Sequence, residues 1–304
     1  MTDRSSSTTG KVALVTGATS GIGRAAAISL VRRGYRIIVV GRDANRGVGV
    51  VDELERVGAG GEFLPCDLLD LATVRRLAHV LTERHRRLDV LLNNAGGAFR
   101  AKALTRDGIE RTFALNVVPP YALTAALLSP LRAGEGRVVN VVTQVSARTR
   151  LDIDGLTDPP RYNAFSAYSR TKLALMALTL EQAVRYAEAG VTPVAVHPRI
   201  VFGTRFGNDM PALLTLVGPI AARLLRRPTS SVDEAGDRLA YAATAALDSG
   251  ILLAEAGTDE PPAAASECVP GNLYPRSCVT QIPWGGENLS FCLRDDTAHK
   301  VMER

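Results

Sequence analysis

Tyr168 and Lys172 stand four residues apart in Tyr168-Ser169-Arg170-Thr171-Lys172. They open an apolar-rich run, Leu173 to Ala187, that holds no Gly or Pro and reads as a helix. Residues four apart share a helix face, so phenol and ammonium can address one point. An ammonium beside a phenol favours the phenolate and draws its pKa down from about 10 toward the range of an acid/base catalyst. Lys172 is one of only four lysines in a chain with 36 Lys plus Arg. The pair alone is a weak signal, because a surface lysine one turn from a half-buried tyrosine has the same spacing. It needs support from the rest of the chain.

A second constellation sits near the N-terminus. Lys11 to Thr16 is a short apolar run that reads as a buried strand. It leads into Gly17-Ala18-Thr19-Ser20-Gly21-Ile22-Gly23 and then the helical Arg24 to Arg33. Strand, glycine-rich turn and helix in that order make a phosphate cradle. Glycines let the backbone approach a pyrophosphate, and the helix N-terminus offers free N–H groups. Tyr35 to Val40 is the next strand, followed by Gly41-Arg42-Asp43 with Arg46 one turn on. An acid after this strand would grip a ribose 2′-hydroxyl, whereas a cation suits a 2′-phosphate. Arg42 therefore favours NADP over NAD, and Asp43 reads as the N-cap of the following helix. Asp67, at the end of the strand Phe63 to Cys66, could bond an adenine edge or simply cap a turn.

These groups must be positioned by a larger frame. Further strands are expected at Asp89–Leu92, Arg137–Val142 and Thr192–Val196. A helix is expected over Leu71–Arg84, with His79 and His85 in it as unpartnered surface residues. A long helix from about Arg106 carries Asn116 and is kinked or ended by Pro119-Pro120. Val232–Leu247 is a further helix, and Gly271–Tyr274 is expected as the edge strand. Strands alternating with helices mean an α/β, Rossmann-type, doubly wound parallel sheet. Ligands collect at the carboxyl ends of such strands. Gly17, Arg42, Asp67, Asn94, Thr143 and Pro198 all fall there.

Length and composition set the outer limits. A chain of 304 residues suits one α/β domain, read here as residues 11–304 after a Ser/Thr-rich, disordered lead-in over 1–10. The hydrophobic fraction of 46% with 5% aromatic describes a core of Ala, Val and Leu. The formal charge of +5 comes from scattered arginines and not from a basic block, which argues against nucleic-acid binding. No apolar run is long enough to span a bilayer, and the lead-in lacks the apolar stretch of a signal peptide. Four dispersed cysteines, Cys66, Cys268, Cys278 and Cys292, form no C-x-x-C and fit a reduced, cytoplasmic setting. No metal site is read, although the last three cysteines leave a disulfide or metal site open.

The motifs together resemble the short-chain dehydrogenase/reductase family. The matching pieces are Thr16 to Gly23, Asn93-Asn94-Ala95-Gly96, Asn116, and Tyr168 with Lys172, in the family's order and spacing. The resemblance covers roughly residues 11–247. It is closer to the retinol-dehydrogenase-like branch, through Gly41-Arg42-Asp43-Ala44-Asn45-Arg46-Gly47, Leu151-Asp152-Ile153-Asp154-Gly155-Leu156, and Arg161-Tyr162 ahead of Tyr168. It implies hydride transfer between a nicotinamide and a carbonyl/alcohol pair. Tyr168 would be the general acid or base. Lys172 would hold the nicotinamide ribose and lower the tyrosine pKa, and Asn116 would orient a water leading to solvent. Cofactor contacts would come from Gly17, Thr19, Ser20, Gly21, Ile22, Gly23, Arg42, Asp67, Leu68, Asn94, Ala95, Gly96, Tyr168, Lys172, Pro198 and Ile200. Homodimers or homotetramers are common in the family, and a monomer stays open here.

Four positions depart from the family pattern. Thr143 stands where a serine hydroxyl usually holds the substrate oxygen, with Ser146 as its rival. Pro198-Arg199 replaces Pro-Gly, Thr204 lies one residue late, and Val117-Val118-Pro119-Pro120 replaces the branch's usual run. Residues 204–231 read as a substrate lid with an apolar Met210–Leu225. Residues 255–304 read as an extension, with a loop over Glu255–Pro270 and a helix over Asp295–Glu303. The leading reading is an NADP-dependent reductase of an apolar ketone. The alternatives are a catalytically weak nucleotide-binding scaffold on the same fold, and an epimerase or dehydratase that uses the nicotinamide transiently.

Overall fold

The computed structural model describes residues 10–143, 145, 149, 161–201 and 229–253, together with the backbone of 278–284 and 287–293. The element order is β1 (Val12–Thr16), α1 (Gly21–Arg32), β2 (Arg36–Gly41), α2 (Ala44–Val57), β3 (Gly61–Pro65), α3 (Leu71–Arg84) and β4 (Val90–Asn93). It continues through α4 (Arg111–Asn116), α5 (Val118–Ala126), α6 (Leu128–Gly134), β5 (Arg137–Val141) and α7 (Ala164–Arg185). After β6 (Thr192–Val196) come β7 (Ile200–Val201), β8 (Thr229–Ser230), α8 (Val232–Thr244) and β9 (Leu252–Leu253). A hairpin, β10 (Cys278–Trp284) and β11 (Glu287–Leu293), closes the series.

Seven strands form one parallel sheet in the order β3-β2-β1-β4-β5-β6-β9. Leu14 lies opposite both Ile38 and Leu91, and Leu91 opposite Val138. The strand runs are continuously apolar because helices cover both faces. Alternation then sorts the side chains. Ala13, Val15, Ile37 and Val39 pack with Leu30 of α1, Leu54 of α2 and Leu239 of α8. Val12, Leu14, Ile38 and Val40 pack with Val74 and Leu77 of α3 and Leu123 of α5. The chain reverses its direction of winding between β1 and β4, where a crevice opens at the carboxyl ends of the strands.

The expected doubly wound sheet is therefore present, with three local corrections. The helix carrying Asn116 starts at Arg111 and not near Arg106, because residues 104–110 make a tight bridge, Leu104 opposite Glu110. The break falls at Val117 (φ −121°), and Pro119 and Pro120 occupy the first turn of α5, where a missing N–H costs little. The described edge strand is Leu252–Leu253, paired with Ala195 and Val196; Gly271–Tyr274 lies outside the described residues. His85 is not a bare surface group: it ends α3, and its Nε2 lies 3.1 Å from Glu62 Oε1. Proximity to His85 holds the Glu62 carboxyl below its ordinary range. The hairpin β10–β11 is a feature that sequence patterning leaves unplaced. Ser146, Thr204, Met210–Leu225, Glu255–Pro270 and Asp295–Glu303 all lie outside the described residues.

Candidate active site

The turn between β1 and α1 is built to let something approach. Gly17 (φ 67°) and Gly21 (φ 54°) take left-handed backbone that a side chain resists. A Cβ on Gly23 would sit 2.5 Å from the Gly17 carbonyl oxygen. Ser20 is the N-cap of α1, yet its side chain caps no amide. The first-turn N–H groups of α1 are thus open, which is the donor set an anionic phosphate requires. Thr16 and Asn94 brace this turn from beneath. The Asn94 amide nitrogen donates to the Thr16 carbonyl at 2.9 Å, and the Asn94 and Ala95 N–H groups both donate to Thr16 Oγ1 at 3.1 Å. These residues fit the phosphates of a dinucleotide.

At the end of β2, Asp43 caps α2 as expected, its Oδ1 accepting from the Arg46 N–H at 3.1 Å. The same carboxylate holds the Arg46 guanidinium, Oδ2 to Nε at 3.1 Å. Arg42 is exposed and has no ion-pair partner among the described residues. Gly41 lets Thr19 close over the strand end, since a Cβ there would lie 2.6 Å from the Thr19 methyl. Asp67 accepts the Leu69 N–H at 3.1 Å, which is the turn-capping role, and Leu68 beside it is buried. A cavity of about 330 Å³ opens beside Asp67, between the start of α3 and Thr105, Arg106 and Arg111.

The α7 helix begins where the Asn163 side chain accepts the Ser166 N–H at 2.9 Å. It carries Tyr168 and Lys172 to the crevice together. Lys172 is 3% exposed, and its Nζ donates to the Val141 carbonyl at the end of β5 at 2.7 Å. The same Nζ lies 5.7 Å from the centre of the Tyr168 ring. A Cβ on Gly96 would stand 3.1 Å from Nζ, so the bare backbone after β4 makes room for the ammonium. Burial moves both groups against their charged forms. It lowers Lys172 from 10.5 to about 8 and pushes the Tyr168 phenol well above its ordinary value. This corrects the expected sign for Tyr168: in the free protein desolvation outweighs any pull from the lysine.

Asn116 is fully buried, and its side chain is spent on structure. Oδ1 accepts the Gly97 N–H at 2.8 Å, while Nδ2 donates to the Gly97 carbonyl at 2.9 Å and to Thr171 Oγ1 at 3.0 Å. The main-chain carbonyl of Asn116 is the atom left for a water. Pro120, four residues on, has no N–H to give it, and the Tyr121 N–H donates to Val117 at 3.1 Å. Thr143 lies half-buried two residues beyond β5, at the same strand ends. Pro198 is buried after β6, with Arg199 and Ile200 following it. Arg199, which stands where the family pattern has glycine, takes left-handed backbone at φ 67°.

Two sets of residues escape sequence reasoning. Tyr162 donates to the Phe99 carbonyl at 2.6 Å and lies 3.0 Å from Thr112 Oγ1, which donates to the buried Glu110 at 2.9 Å. This ties the approach to α7 onto the start of α4. Asn140 joins Asn93 to Thr179 of α7, with bonds of 2.9 and 3.0 Å. Tyr162 and Asn93 enter the sequence reading only as pieces of the family resemblance, which says nothing of these bonds.

Comparison with known proteins places this geometry. A family model described as short chain dehydrogenase matches residues 11–211. A protein of Streptomyces sp. (strain C5), provisionally named a daunorubicin C-13 ketoreductase, is 39% identical over 201 residues, covering 66% of this chain and 68% of its own length. Human retinol dehydrogenase 13 is 32% identical over 233 residues, covering 72% of this chain and 69% of its own. Several other curated relatives are matched over less than two thirds of their length. Among solved structures, a Pseudomonas aeruginosa RhlG/NADP active-site complex superposes with a TM-score of 0.64 at 26% identity, over 80% of this chain and 94% of that one.

Proposed function

We propose that this chain, which belongs to the short-chain dehydrogenase family in its retinol-dehydrogenase-like branch, is an NADP-dependent reductase of an apolar ketone. Family membership makes it an oxidoreductase acting on an alcohol/carbonyl pair. The observation that carries the finer reading is the placement of Tyr168 and Lys172 beside the open glycine cradle, with Lys172 Nζ anchored 2.7 Å from the Val141 carbonyl.

The nicotinamide supplies the hydride when bound. The protein does the rest. Gly17 to Gly23 receive the phosphates on the open amides of α1. Arg42 answers the 2′-phosphate, because Arg46 is held by Asp43. Lys172, with spare N–H donors beyond its bond to Val141, holds ribose hydroxyls. Thr143 donates to the substrate oxygen, and Tyr168 Oη passes it a proton. Burial keeps that phenol protonated in the free protein, so the resting site carries the proton that reduction needs. The Asn116 carbonyl holds a water that returns a proton toward Lys172. The names of the relatives describe a daunorubicin ketone and retinol, both with large apolar area, which supports a substrate of that kind.

The cofactor half is tested by fluorescence titration with NADPH and NADH, wild type beside Arg42→Ala. Loss of a charge-assisted phosphate contact lowers NADPH affinity by about ten- to a hundredfold and leaves NADH nearly unchanged. Equal losses for both nucleotides would refute the assignment of Arg42. Absence of binding by either would refute the oxidoreductase reading.

A further inference from the structure

Among the described residues, only Glu135 and Arg199 are non-glycine residues in left-handed backbone, at φ 49° and 67°. Glu135 is an exposed C-cap at the end of α6, where such a turn is ordinary. Arg199 is different. It sits directly after β6, at the ligand end of the sheet, in a conformation glycine would adopt without strain. Strain kept at a ligand site points to a use for the side chain.

The fold says where that side chain works. Arg199 leads into β7, whose Ile200 and Val201 pair with Thr229 and Ser230 of β8. β8 runs into Ser231, the N-cap of α8, which has a complete capping box with Glu234. α8 lies beside α1 and runs in the same direction. A Cβ on Gly236 would meet Ala25 Cβ at 2.5 Å, and Arg33 at the end of α1 donates to Thr244 at the end of α8 at 3.0 Å. The same offset carried back sets the first turn of α8 beside Gly21 to Gly23. The path from β6 through β7 and β8 therefore leads to the first turn of α8, beside the phosphate cradle.

The charges agree with an anion there. Arg199 and Arg238 both bear on His197, which burial and these two cations hold down at about 4, so the imidazole is neutral and the positive charge here is that of the two arginines. Arg199 also helps to lower Glu234, whose carboxylate is chiefly held by its bonds with Ser231. Arg199 thus stands near both His197 and the first turn of α8, the turn that lies beside Gly21 to Gly23.

We propose that Arg199 is a diphosphate-binding residue that closes the cradle from the β6 side, its guanidinium pairing with the bridge phosphates opposite the amides of α1. This rests on the dinucleotide reading above. A planar fork of N–H donors matches two phosphate oxygens at once, and a lysine does not. The residue that breaks the family's Pro-Gly pattern is then an added anchor and not damage.

The test is a titration of Arg199→Gly and wild type with two probes, NADPH and adenosine 2′-monophosphate, alongside thermal melting. The second probe carries the 2′-phosphate but no diphosphate. Arg199→Gly weakens NADPH binding by about tenfold or more, leaves adenosine 2′-monophosphate unchanged, and melts no lower than wild type because glycine relieves the backbone. Arg199→Lys recovers only part of the NADPH affinity. Unchanged or tighter NADPH binding in Arg199→Gly would overturn the proposal while leaving the cofactor reading intact. A wild type that binds neither probe would overturn both.

Discussion

Replacing Lys172 with methionine isolates the cost of burying an ammonium at the heart of the site. Burial lowers Lys172 from 10.5 to about 8, and one hydrogen bond, to Val141, compensates it in the free protein. A displacement of that size corresponds to roughly 3 kcal/mol held against folding at pH 7. The folded pKa lies below the unfolded one, so between the two the unfolded chain binds more protons. Stability from this group therefore rises as pH climbs from about 8 to 10.5 and is lost on the way back down. Methionine removes the titration but leaves the Val141 carbonyl without its donor, a pH-independent cost of about 1–3 kcal/mol. The absolute change at pH 7 is thus a partial cancellation, and the pH dependence carries the information. Urea unfolding of both proteins between pH 7 and 10 should show wild type gaining about 2–3 kcal/mol on Lys172→Met. Groups common to both chains cancel in that difference. A gap that stays flat across this range would show that the ammonium is hydrated in the free protein, and would remove burial as the cause that poises the site.

Two further substitutions probe the frame. Asn116→Leu keeps the volume but deletes the bonds to Gly97 and Thr171, and should cost about 2–4 kcal/mol in urea unfolding, since a buried N–H and carbonyl lose their partners. A change below about 0.5 kcal/mol would mean that the clamp on Gly97 is dispensable. Gly23→Ala should cost about 1–3 kcal/mol and abolish nucleotide binding in calorimetric titration, because the new methyl meets the Gly17 carbonyl, a backbone atom that cannot swing aside.

Much of the site is legible in the residues because its parts are local. The Gly17–Gly23 turn follows from strand, glycines and helix read in sequence. The Tyr168–Lys172 pairing follows from helical spacing, and the Asp43 cap from residue type and position. What escapes is set by distant contacts. The sign of the Tyr168 shift depends on how completely α7 is buried, which no local pattern records. Tyr162 reaches the Phe99 carbonyl across 63 residues. Arg199 reads as an intrusion in the sequence, because identity alone does not reveal that an arginine has accepted a glycine's backbone. Pro119-Pro120 reads as a kink or a stop for the same reason. Only the break at Val117 shows that the pair sits in a first turn, where proline is tolerated, and that it leaves the Asn116 carbonyl without a helical donor.

The central claim is that Tyr168 delivers a proton while hydride reaches a ketone carbon. The most direct measurement follows NADPH oxidation at 340 nm with a panel of bulky apolar ketones, wild type beside Tyr168→Phe. The account predicts turnover by wild type and a loss of about a hundredfold or more in Tyr168→Phe, with NADPH affinity within about twofold, since only the proton donor is removed. Turnover that survives in Tyr168→Phe, or substrate converted with no net NADPH consumed, would contradict it.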